Sequence, residues 1–290
     1  TQLLQDLRYG ARLLVAKPGF ALAAILTLAL GIGANTLVFT LIDAVYLSDL
    51  PYRDANRLVD VYASLTKFGG GVDNVSIPDY VDLHAQVPAL ADSALYTNAS
   101  FNLVDGGAAE RLQGLRATPS LFTTLGVSAA LGRTFTTDAA LPGHDHVAVL
   151  GDALWRNRFG ADASLVGRSI RLDGESYTVV GVMPPRFMFP RADVGLIVPF
   201  AFAPDQLGDD QRGVNYSSIV ARLAPAATPA QVEAQAAALV ARTLERLGAG
   251  GTDGTTQAAR EIVDSGFRFG VRPLREQLNG SNADELMLLQ

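Results

Sequence analysis

The run from Phe20 to Ile42, FALAAILTLALGIGANTLVFTLI, is 23 residues long and carries no charge. A helix of that length, at about 1.5 Å per residue, reaches roughly 35 Å and covers a hydrocarbon core of about 30 Å. Buried helices of soluble proteins seldom run so far without a charge. A cleaved signal peptide would instead have an apolar region of about 7–15 residues followed by small residues in an A-x-A pattern. Here Asp43-Ala44-Val45-Tyr46-Leu47 follows, which offers no such site. The expectation is a retained transmembrane helix within 20–47.

Charge on either side sets its direction. Arg8, Arg12 and Lys17 against Asp6 give residues 1–19 a net charge of +2, whereas everything beyond Ile42 carries −8. Basic residues stay on the cytoplasmic side. The N-terminus is therefore expected in the cytoplasm and the main body outside the inner membrane. Leu3, Leu4, Leu7, Ala11 and Leu14 recur at helical spacing before Pro18. Residues 1–19 thus read as a short amphipathic helix lying on the cytoplasmic interface, with a frayed basic tail as the alternative. Tyr46 and Tyr52 suit the outer interface. Within the span, Ala29, Gly31, Gly33 and Ala34 are small, and Asn35, Thr36 and Thr40 are polar. Such a face lets another helix approach closely, although lipid tolerates small residues equally well. The Gly31-Ile32-Gly33 step has no preceding strand, so it is not read as a nucleotide site.

Composition closes off several classes of function. With no cysteine, the chain has no disulfide framework, thiolate metal site or cysteine nucleophile. A pI near 5.1 leaves no basic footprint for nucleic acid. The body alternates strands with short helices. Leu58–Ser64, Leu95–Val104, Arg111–Ala117, Val147–Leu150, Ser169–Leu172, Tyr177–Val182, Ile197–Phe202, Ser217–Leu223 and Phe267–Val271 read as strands. Asp173-Gly174 is a hairpin turn signal. Ile77–Val87 after Ser76, Pro119–Leu125 before Gly126, Asp152–Phe159 before Gly160, and Thr228–Leu247 read as helices. Gly248–Gly254 reads as a flexible break.

No catalytic, cofactor-binding or metal residue is assigned. His144 and His146 flank Asp145, but two ligands two apart make a weak metal signal without a third, and a solvated loop is expected. His84 is the remaining histidine. There is no G-x-S-x-G, P-loop or H-E-x-x-H motif. Asp209 and Asp210 read as loop solvation, and Trp155 as core packing.

Three stretches near the N-terminus carry a family likeness: Leu4-Gln5-Asp6-Leu7-Arg8-Tyr9, Lys17-Pro18-Gly19-Phe20, and Leu26-Thr27-Leu28-Ala29-Leu30-Gly31-Ile32-Gly33-Ala34-Asn35-Thr36. Pro51-Tyr52, Pro78-Asp79-Tyr80, Leu131-Gly132-Arg133-Thr134-Phe135, Val166-Gly167-Arg168-Ser169-Ile170 and Val179-Val180-Gly181-Val182-Met183-Pro184-Pro185 follow in order. The chain resembles MacB-like, FtsX-type ABC transporter permeases, most nearly the duplicated orphan permeases abundant in acidobacteria. The likeness runs from residue 3 to about 280.

The resemblance implies an α+β fold: one membrane helix, then a periplasmic core. A porter-like α/β part over 48–130 and 205–280 would hold a β-rich, sabre-like insert over 131–204. Residues 281–290 would begin a second membrane helix, and the chain is then expected to be a fragment or a shortened form of a longer permease. It also implies a non-catalytic role. A cytoplasmic ABC ATPase binds the ATP, and the permease passes its motion outward for export or extrusion. Other implied partners are a second copy in a homodimer, membrane lipid, and a periplasmic partner or substrate; nucleic acid and cofactors are not. The alternative is a single-pass membrane-anchored extracytoplasmic sensor or binding module, for which the 19 residues before the span leave little room for an output domain. An anchored hydrolase has no nucleophile–base pair behind it.

Overall fold

The computed structural model describes residues 18–42, 50–69, 74–104, 109–250, 259–260 and 262–279. The amphipathic segment expected over 1–17, the interface residues 43–49 and the apolar tail 281–290 lie outside them. The chain forms two units, Thr1–Asp49 and Leu50–Gln290.

In the first unit a single helix, α1, spans Pro18–Ile42, 25 residues. Pro18 opens it, where a missing N–H costs nothing. Thr27 and Thr36 turn their hydroxyls back to the carbonyls of Ala23 and Ile32, each at 2.8 Å. Leu22, Ile25, Leu26, Leu28, Leu30 and Ile32 are exposed by 59–77%, and every described side chain of the helix up to Thr36 is exposed. The side chains of Phe20, Ala21, Ala24 and 37–42 lie outside the description. Among the described residues no helix is long and apolar enough to cross a membrane.

The second unit begins with a split β-α-β arrangement. Its elements are β1 (Leu58–Leu65), α2 (Ile77–Gln86), β2 (Leu90–Val104), β9 (Ser218–Leu223), α5 (Pro229–Gly250) and β10 (Phe267–Pro273). The strands lie in the order β10-β1-β9-β2, all antiparallel. This is the ferredoxin-like order, with both helices on one face. Val59, Val61 and Ala63 of β1, Ile219 and Ala221 of β9, and Leu83, Val232, Ala236 and Leu239 of the helices share one core. Capping chemistry fixes both helix starts. The Ser76 hydroxyl accepts the Asp79 N–H, with Pro78 in the first turn. Thr228 and Gln231 form a reciprocal capping box. Gly248 does not stop α5, as the sequence suggested it would; the helix continues to Gly250.

Between β2 and β9 the chain inserts β3 (Glu110–Ala117), α3 (Leu121–Leu125), β4 (Leu131–Gly132), β5 (Val147–Leu150), α4 (Asp152–Phe159), β6 (Ser169–Leu172), β7 (Glu175–Val182) and β8 (Leu196–Pro199). Six strands close a ring, β2-β3-β8-β5-β7-β6-β2, through pairs that are parallel at β3–β8 and β5–β7. Alternate residues fill its inside: Phe101 and Leu103, Ala148 and Leu150, Ile170 and Leu172, Tyr177 and Val179, Leu196 and Val198. Gly114 faces the same interior. A Cβ there would sit 2.9 Å from the Phe101 ring and 2.7 Å from the Leu196 carbonyl, so only glycine lets β3 approach β8 at that point. The Asp173-Gly174 turn forms as its sequence suggests, with φ of 51° and 88°.

Candidate functional site

What joins the sheet to the ring is β2. This 15-residue strand pairs with β9 from Leu90 to Tyr96, with β3 from Tyr96 to Leu103, and with β6 at Leu103 and Val104. At about 3.3 Å per residue it is roughly 50 Å of unbroken strand. A third core fills the angle between the two parts, with Leu58, Tyr96, Val220 and Leu274 from the sheet side and Leu115, Val149, Val180 and Ile197 from the outside of the ring. β10 and β1 connect to β2 through β9 by strand pairing, and this third core packs the sheet against the ring.

The return path is fastened separately. The segment from β8 back to β9 carries Asp209 and Arg212. Arg212 is buried and donates Nη1 to Asp79 Oδ1 at 2.6 Å, Nη2 to Asp82, and Nε to Asp209 Oδ1 at 2.7 Å. Asp209 in turn accepts from Arg246 on α5, at 3.0 Å through Nη2. Ser76 donates to the other Asp79 oxygen at 2.6 Å. One guanidinium thus ties the return segment to α2, and through Asp209 to α5. Every nitrogen in its fork has a carboxylate, the arrangement a buried charge requires. A cavity of about 170 Å³ opens beside it, lined by Leu65, Asp79, Arg212, Asn215, Ile262 and Phe267 among others.

Burial pushes the Asp79 carboxyl above the ordinary carboxylate range, against the pull of Arg212 and the Ser76 hydroxyl. Burial works against the Arg212 charge, but Asp79, Asp209 and Asp82 more than offset it and raise its pKa. The Arg246 hydrogen bond leads in lowering Asp209 to about 2, with Arg212 adding to it. An unfolded aspartate titrates near 3.9. Asp209 therefore contributes stability that is fully present above about pH 4 and is lost as pH falls toward 2. Asp209→Asn is expected to lower the midpoint of unfolding at pH 6 and to match the wild type near pH 2, measured by denaturant melts across that range.

This corrects the sequence reading of Asp209 as loop solvation. The side-chain amide of Gln211 reaches its neighbour Asp210 at 2.9 Å, so that residue has no part in the network. Arg212 gave no signal of its own, because its carboxylates lie 130 and 133 residues away. The Asp209…Arg212 and Asp79…Asp82 spacings of three were the visible trace. His144 stands 3.8 Å from Asp138, and His146 lies 3.2 Å from Glu175. Among the described residues no group of three histidines or carboxylates could hold a metal. His84 bonds the Ser93 hydroxyl at 2.9 Å. Trp155 is half-buried against the ring core and donates its indole N–H to the Asp162 carbonyl at 3.0 Å.

A ferredoxin-like sheet spliced by one long strand to a closed β-ring makes this a mixed α+β core. The sequence profile of the MacB-like periplasmic core domain matches residues 21–239, and the chain belongs to that family. Two solved structures share the fold. One is a domain of a protein described as a permease, from Porphyromonas gingivalis, at 16% identity and a TM-score of 0.53; the match covers 77% of this chain and 92% of that one. The other is the periplasmic region of MacB from Actinobacillus actinomycetemcomitans, at 14% identity and a TM-score of 0.52, covering 79% of this chain and 94% of that one. No curated protein sequence matches the chain.

Proposed function

We propose that this chain is the membrane anchor and periplasmic core of a MacB-like ABC permease, which carries ATP-driven motion across the inner membrane for export or extrusion. The observation that carries the proposal is the shared strand β2, in a domain of this family. It makes the sheet and the ring one lever, and it offers no site for chemistry of its own. In this reading residues 48–130 and 205–280 are the porter-like part and 131–204 the sabre-like insert, with β2 and β3 of the first part running on into the ring. The anchor is α1. Every described side chain of the helix is exposed, its large apolar residues included, which suits lipid. Taken over the whole sequence run from Phe20 to Ile42, which extends past the described side chains, the uncharged stretch has the length of a hydrocarbon core, and the basic residues before it keep the N-terminus in the cytoplasm. A cytoplasmic ABC ATPase subunit binds the ATP, and two copies of the chain pair in the working assembly. The chain itself is non-catalytic and needs no cofactor.

The absence of cysteine gives a direct test. Ser176→Cys on β7 and Arg268→Cys on β10 are both exposed positions and place one spin label on each part. In the full chain the distance distribution between them is expected to be single and narrow. A broad or two-peaked distribution would mean that the parts move independently, and the lever reading would fail.

A further inference from the structure

Arg222 on β9 is only 4% exposed, and unlike Arg212 it is not enclosed by carboxylates. Its Nε donates to the Thr124 carbonyl at 2.8 Å and its Nη1 to the Asp54 carbonyl at 3.3 Å. These bonds pin the last turn of α3 and the turn before β1, and a purely structural arginine would stop there. Its Nη2, however, is buried with no hydrogen-bond partner among the described residues. An unpartnered donor on a buried charge is costly. The surroundings add to the cost. Burial first, then repulsion from Arg53 and Arg57, push this guanidinium below its ordinary pKa.

The nearby acids do not neutralise the group. Asp54 stands 3.6 Å from Arg57. Asp92 accepts from Thr123 at 2.7 Å and from the Ser93 N–H at 2.9 Å. Arg57 is held by the Leu223 carbonyl, which accepts its Nε at 3.0 Å. Among the described residues neither Arg53 nor Arg222 has a carboxylate within ion-pair distance. Gly126, with φ of 69°, supplies the remaining wall. A Cβ there would lie 3.0 Å from Arg53 Cβ, 3.4 Å from Arg53 Nε and 3.5 Å from Arg222 Nη2, so the Arg53 side chain covers this face. The Arg53 side chain therefore lies over Gly126 with its Nε on the same side as the buried Arg222 Nη2.

We propose that Arg53 and Arg222 form an oxyanion site that takes a phosphate group. Guanidinium forks match phosphate oxygens in pairs. The buried Nη2 supplies a fixed donor, and Arg53, whose side chain is exposed, covers it from the solvent side and would have to move aside to admit the ion. The same chemistry is found in an outer-leaflet phospholipid headgroup and in free phosphate. The site itself rests on the outer body alone. Only the lipid source rests on the anchored reading, through Arg53 following eleven residues after Ile42.

The test uses the full chain in maltoside detergent. Its thermal unfolding is followed against inorganic phosphate, with chloride at equal ionic strength as the control, and in parallel against dihexanoyl-phosphatidylglycerol. Inorganic phosphate is expected to raise Tm saturably, with a midpoint weakened about tenfold in Arg53→Ala. A matching response to the lipid assigns the headgroup as source, and a response to phosphate alone assigns the free ion; both outcomes support the site. No saturable rise, or an equal rise in wild type, Arg53→Ala and Arg222→Gln, overturns it. If Arg222→Gln does not fold, Arg53→Ala decides alone. Carbonate extraction of the same chain reads the anchor separately. A chain that washes off membranes yet binds phosphate keeps this site and loses the anchor.

Discussion

Arg212→Ala is expected to destabilise the outer body by about 3–5 kcal/mol, because it leaves Asp79 and Asp82 facing each other without their cation. Asp79 is 7% exposed, so water does not replace the lost partner. Arg212→Lys should recover only part of the loss, since one ammonium cannot serve three carboxylates in three directions. Equilibrium denaturation of the full chain gives the size, and hydrogen exchange gives the place. Amides of the return segment, about 203–217, should lose protection first. A loss under about 1 kcal/mol would show that the network is a surface ion pair in effect, and that the return segment is held by its apolar contacts alone.

Phe101→Ala is expected to cost a similar amount, about 3–5 kcal/mol, by opening a cavity inside the ring. Phe101 is 1% exposed and lies against Gly114 and the β3–β8 pairing. The site cannot collapse easily, because the neighbouring wall is backbone and not flexible side chain. The two positions lie in different parts of the body, yet β2 belongs to both. Each variant should therefore lower one common unfolding transition, followed by circular dichroism and by Trp155 fluorescence, which reports from the ring side. Separate transitions for the ring and the sheet would argue against a single lever.

Local chemistry was readable in the sequence and long-range pairing was not. Ser76, Gly126, Gly160 and the Asp173-Gly174 turn mark their element ends through backbone requirements that neighbours alone satisfy. Asp152, by contrast, sits in the first turn and Gly151 holds the cap position. The strand expected over Leu95–Val104 begins at Leu90. The stretch Leu90-Ala91-Asp92-Ser93 has little intrinsic strand preference, and β9 imposes the conformation by pairing with it. Ring closure depends on β6 meeting β2 at only two residues, Leu103 and Val104, which no periodicity reveals. The same holds for the two buried arginines. Arg212 reads as one charge in an acidic loop and Arg222 as one residue of a strand, until the fold brings their partners from more than ninety residues away.

The account stands most directly on where the two ends of the chain lie. A copy tagged at both ends, expressed in cells and converted to spheroplasts, should pellet after carbonate washing. External protease should remove the body while an N-terminal tag remains protected. A body untouched by protease in intact spheroplasts, or a chain released by carbonate, would contradict it.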